Sequence, residues 1–184
     1  MEALLFAVPV VLFVVLAATF VFVLHRAARV MADTREVDAF RGQVIDLVTR
    51  IDVSLTEVAE RIDRVRRHQV DPEEVRGNLD AAVDAVARYS EEGEALRPPP
   101  GMHDLRTTLV EELARSGRAL DVVRHGCDAL ADGVPGPRQV EGQTSVKRGY
   151  LNLLHAREAI VRHAGRAAAW RSPTEARRDA RRRA

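Results

Sequence analysis

Residues Ala3 to Leu24, ALLFAVPVVLFVVLAATFVFVL, form an unbroken apolar run in which Thr19 is the only polar side chain. As a helix rising about 1.5 Å per residue, the run reaches roughly 33 Å, enough for the hydrocarbon core of a bilayer. Pro9 lies near one end, where a local kink is tolerated. A cleaved signal peptide carries basic residues before a shorter apolar core, whereas only Met1 and Glu2 precede this run. It therefore reads as a retained anchor. Arg26, Arg29, Arg35 and Arg41 follow the run closely and no Lys or Arg precedes it. The positive-inside rule then predicts that the chain beyond Leu24 is cytoplasmic.

The rest of the chain reads as helix. Its apolar content is mainly Ala, Val and Leu, and only 4% of residues are aromatic, which suits helix packing better than a sheet sandwich. A first stripe, Val37, Phe40, Val44, Leu47, Ile51, Leu55, Val58, Ile62 and Val65, keeps steps of three and four and so stays on one helix face. VDPEE follows: Asp71 is placed to cap a second helix, with Pro72 at its first position and Glu74 completing a capping box. That helix carries Val75, Leu79, Ala82, Val86, Tyr89 and Leu96. Three prolines in LRPPPG end it. A third stripe runs Leu105, Leu109, Leu113, Ser116, Leu120, Val123, Cys127 and Leu130. DGVPGP, from Asp132 to Pro137, reads as the start of a longer loop. A fourth helix, from about Thr144 to Trp170, carries Val146, Tyr150, Leu153, Leu154, Ile160, Val161, Ala164 and Ala168. The glycines within these helices, Gly126 and Gly149 among them, read as local costs of about 0.5–1 kcal/mol each against alanine.

These elements predict an all-α chain: a single transmembrane helix, then an antiparallel four-helix bundle with a long first helix. Residues 1–32 form the anchor and juxtamembrane segment, 33–170 the bundle and 171–184 a basic, disordered tail. The net charge of +1 conceals an asymmetry. Residues 33–132 hold 14 basic and 22 acidic side chains, a net of −8, whereas 144–184 hold 11 and 3, a net of +8. Opposite charges within one chain attract each other first, which argues against a nucleic-acid surface. The tail arginines Arg177, Arg178, Arg181, Arg182 and Arg183 are candidates for contact with anionic lipid or a partner, each contributing about 1 kcal/mol near an anionic leaflet.

HDLRTTL, His103 to Leu109, differs by one letter from HDLRTPL and so resembles the phosphoacceptor box of sensor histidine kinases. The resemblance implies His103 as a phosphoacceptor. Two departures weigh against that role: PPPGM places the histidine in the first turn of its helix, and no glycine-rich ATP-binding region follows. On a wider scale, a helix ending in L-x-P-P and followed by a Leu-rich helix, roughly Pro72 to Ala131, resembles uncharacterised bacterial membrane-associated helical proteins. That resemblance implies a bundle in a cell-envelope context and carries no catalytic residue.

Other constellations point to packing rather than chemistry. A di-iron bundle needs Glu-x-x-His on two helices, all inward; here His155 and Glu158 are reversed in order, and His125, His155 and His163 fall away from their stripes. No metal or cofactor site is expected. Cys127 reads as a small core residue. Arg157 falls within the fourth stripe, either with its stem packed and its head at the rim or paired with a carboxylate such as Glu112. The sequence thus predicts a non-enzymatic interaction or scaffold module at the cell membrane, with a protein partner or a second copy. A phosphotransfer protein using His103 and an envelope-facing binding protein are the alternatives.

Overall fold

The computed structural model describes residues 2–131 and 136–170; within the first helix, side chains are described at 16, at 19–25 and from 34 onward. Four helices account for them: α1 (Glu2–Arg66), α2 (Pro72–Ala95), α3 (His103–Ala131) and α4 (Pro137–Ala169). The chain divides into two units, Met1–Ala39 and Phe40–Ala184. In the first, the described large apolar side chains Leu16 and Phe20–Leu24 are exposed. Among the described residues, no helix is long and apolar enough to cross a membrane; the other side chains of the Ala3–Leu24 run lie outside them.

The second unit is an antiparallel bundle whose helices follow one another around a ring. Arg50 pairs with Glu92, Ser54 Oγ lies 2.9 Å from Tyr89 Oη, and Arg61 Nη1 donates to Asn78 Oδ1 at 2.9 Å. As numbers rise on α1 they fall on α2. Arg76–Asp128 and Arg124–Asp80 set α2 against α3 in the same sense. Arg41 Nε to the Ala167 carbonyl and Arg157 Nε to Asp52 Oδ1 set α4 against α1.

Stereochemistry marks the turns. Asp71 Oδ1 accepts from the Glu73 amide at 2.9 Å, capping α2 where the sequence places the cap. α1 closes in a Schellman motif: the Gln69 amide donates to Arg64 O and the His68 amide to Val65 O. His68 takes the left-handed position there at φ 57°, a place usually held by glycine. The fourth helix begins earlier than its apolar stripe indicates. Pro137 is its first residue, because a proline lacking an N–H fits the first turn, where that donor has no helical partner.

One core joins all four helices. Phe40, Leu47, Ile51, Leu55 and Ile62 from α1 meet Leu79 and Val86 from α2, Leu109, Leu113 and Leu120 from α3, and Leu153 and Ile160 from α4. These largely match the stripes read from the sequence. α4 departs. Of its buried positions, Gly142, Val146, Gly149, Leu153, Ala156, Ile160, His163 and Ala167 alternate steps of four and three, a heptad seam, and Ala159 is buried beside it. Val161 is 43% exposed and Ala168 is also exposed.

The cause lies in how closely α3 and α4 approach. A Cβ built on Gly149 would lie 2.5 Å from Val123 Cγ2 and 2.8 Å from the Ala119 carbonyl oxygen. One on Gly126 would lie 2.8 Å from the Val146 amide nitrogen, and one on Gly142 2.9 Å from the Gly126 carbonyl oxygen. Close backbone approach turns the small residues of α4 inward. Gly126 and Gly149 are therefore packing requirements as well as costs to helix propensity.

Candidate functional site

The small-residue seam changes character at one end. Gly142, Gly149 and Ala156 recur every seventh residue, and His163 takes the next place. The expectation that His163 points away from the core is corrected: it is buried, 4% exposed. A face chosen for close approach, rather than for the largest apolar side chains, carries position 163 inward with it. Glu112 of α3 is buried too and lies within electrostatic reach of His163.

Among the described residues, two buried side-chain atoms lack a hydrogen-bond partner, Glu112 Oε2 and His163 Nδ1. Arg115 Nη1 stands 3.1 Å from Glu112 Oε2, close enough for ion pairing but outside hydrogen-bond geometry. His163 has nothing comparable. Burial, reinforced by Arg166, holds its imidazole pKa below the ordinary value; Glu112 works against this and Arg162 adds to it.

Beside His163 lies an open cavity of about 220 Å³. Gly101, Met102, Asp104, Leu105 and Thr108, at the start of α3, form one wall. His163, Arg166 and Trp170, at the end of α4, form the other. The PPPG segment positions the first wall: the Met102 amide donates to the Pro99 carbonyl, and Gly101 adopts φ 91°, which turns the chain into α3. A Cβ on Gly101 would lie 3.4 Å from the Trp170 ring, so the turn and the indole are in contact range. The Thr108 hydroxyl donates to the Asp104 carbonyl at 2.7 Å. The cavity has a mainly apolar lining with charges of both signs, Asp104 and Arg166, among its residues, while His163 Nδ1 is itself closed off from solvent.

The residues singled out by the sequence are distributed differently. His103 is the exposed first residue of α3; Asp104, Leu105 and Thr108 of the same seven-residue stretch line the cavity. His125, His155 and Glu158 are exposed, and among the described residues no group of three potential ligands could hold a metal. Arg157 pairs with Asp52, 2.6 Å away, both about one-third exposed; Glu112 is not its partner. Cys127 is buried, which pushes its thiol pKa up to about 11, with Asp128 adding to the shift and Arg76 opposing it. Arg177, Arg178, Arg181, Arg182 and Arg183 lie outside the described residues.

The sequence reading missed the cavity, although the seven-residue recurrence ending at His163 was a signal for one wall. No protein-family model, curated protein or solved structure gives a significant match to this chain.

Proposed function

We propose that this chain is a non-enzymatic, single-pass membrane protein that presents its four-helix bundle on the cytoplasmic side as an interaction or scaffold module. The observation that carries the reading is the run Phe20–Leu24, five successive large apolar side chains between 53% and 66% exposed. At 100° per residue they occupy every side of the helix, and a helix apolar all round belongs in a protein core or a membrane. With Leu16 they leave six such side chains in water, forgoing on the order of 10 kcal/mol of transfer free energy. The apolar sequence from Ala3 onward extends the same character to the length of a bilayer core.

Orientation rests on Arg26, Arg29, Arg35 and Arg41 following the run. The partner is a protein or a second copy of the chain, and the tail arginines add attraction to anionic lipid. The test combines carbonate extraction of the full-length chain with a reporter fused after Ala184. Retention in the membrane with a cytoplasmic reporter is the expected result. Recovery of the full-length chain in the soluble fraction overturns the anchor, and a reporter active outside the cytoplasm overturns the orientation in favour of an envelope-facing bundle.

A further inference from the structure

We infer that a second cavity, where the end of α1 meets α4, is a binding site for the phosphate group of a phosphate monoester. Its volume is about 230 Å³, and its polar lining is Arg66 and His68 at the α1 terminus with Gln143 and Lys147 on α4. Gln143 and Lys147 share a helix face at i, i+4. Val65, Val146 and Leu130 supply the apolar part of the lining. No carboxylate is among the described lining residues, and each polar side chain there offers an N–H donor.

The charges favour a dianion. Asp63 does not line the cavity and pairs with both Arg66, at 2.6 Å, and Arg67, at 2.7 Å. With Lys147, these groups bring three positive charges against one negative, leaving two uncompensated. The side chains of Lys147 and His68 have no ion pair or hydrogen bond among the described residues. Arg66 is held in place but not saturated. Its Nε and Nη2 both donate to Asp63 Oδ1, at 2.9 and 2.6 Å, and the guanidinium lies 5.4 Å from the centre of the Tyr150 ring, while Nη1 has no partner. A phosphate monoester carries close to two negative charges near neutral pH and presents three acceptor oxygens. A carboxylate brings one charge and two oxygens. His68 also keeps the left-handed position at φ 57°, a backbone strain that glycine would avoid, and its imidazole lines the cavity. The site lies within the second unit and is independent of whether Ala3–Leu24 lies in a membrane.

Lys147 is the only lysine in the chain, so lysine labelled with ¹³C at Cε gives one side-chain resonance that reports occupancy. The full-length chain in phosphatidylcholine nanodiscs is titrated with phenyl phosphate and, separately, with phenol, which lacks the phosphate. The expected result is a saturable Lys147 shift with phenyl phosphate and none with phenol. By calorimetry, Lys147→Gln should weaken phenyl phosphate binding about tenfold or more. Arg148→Gln removes the same charge from the neighbouring exposed position outside the lining and should bind as the wild type does. His68→Gly should bind several-fold more weakly yet melt no lower than the wild type, because glycine suits φ 57°. Nanodiscs containing phosphatidic acid, a lipid phosphate monoester, distinguish the source. A Lys147 shift in these without added phenyl phosphate assigns the group to lipid, and a shift only with phenyl phosphate assigns it to a soluble molecule. An unmoved Lys147 resonance in both kinds of nanodisc, a loss in Arg148→Gln equal to that in Lys147→Gln, or unchanged affinity in His68→Gly overturns the assignment.

Discussion

Replacing Gly149 by alanine adds one methyl group where α4 lies against α3. The added Cβ would stand 2.5 Å from Val123 Cγ2, 2.8 Å from the Ala119 carbonyl oxygen and 3.0 Å from the Val123 amide nitrogen. Val123 could rotate its methyl aside, but the other two atoms are backbone and move only with the helix. Relief therefore requires α3 and α4 to separate locally by several tenths of an ångström. Overpacking of this kind costs about 1–3 kcal/mol, and adjacent layers lose part of their dispersion contact as the gap opens. Helix propensity returns about 0.5–1 kcal/mol. Because two of the three atoms met are backbone of α3, the net is placed near 2 kcal/mol destabilising, which lowers the melting temperature by about 4–8 °C in a domain of this size. Gly77→Ala is the matched control, since nothing lies within 4 Å of its Cβ position in α2. It should gain the propensity term alone and melt a few degrees higher. Thermal and urea unfolding followed by circular dichroism measure both. If Gly149→Ala is as stable as Gly77→Ala, the close-approach account of the α3–α4 seam is wrong.

Three further outcomes follow from the same structure. Ile51→Ala and Leu120→Ala remove fully buried side chains and should each cost about 2–5 kcal/mol; little change in urea midpoint at both would contradict the shared core. Because His163 has a folded-state pKa below its unfolded one, the unfolded chain binds the extra proton first. Stability should therefore fall as the pH drops below about 6.5 towards the folded-state pKa, and His163→Phe should flatten that part of the pH profile. Arg166, Arg162 and Glu112 set the local field in that comparison. A slope unchanged by the substitution would place its source elsewhere. His103→Gln should leave the melting temperature within about 2 °C, as surface changes generally do. Neither it nor the wild type should take acid-labile label from a phosphorylated response regulator, and label on the wild type alone would establish the phosphoacceptor reading.

Much of the bundle could be read from local chemistry. Steps of three and four placed Ile51 and Leu120 in the core before any helix was packed, and both are fully buried. Asp71 and Pro72 started α2 because a cap and a first-turn proline act within three residues of chain. The prolines after Leu96 ended it for the same local reason. What periodicity alone could not choose was the face of α4, which has apolar residues on both sides. Leu154 and Val161 favour one side by size; Gly149, Ala156 and Ala167 favour the other by permitting approach. The choice depends on the distance to α3, a tertiary quantity, and it carried His163 inward. Arg157 likewise took Asp52, 105 positions away, rather than Glu112. The cavity joins residues near 104 to residues near 166. Neither stretch alone contains it, because it arises only where two antiparallel helices bring their ends together.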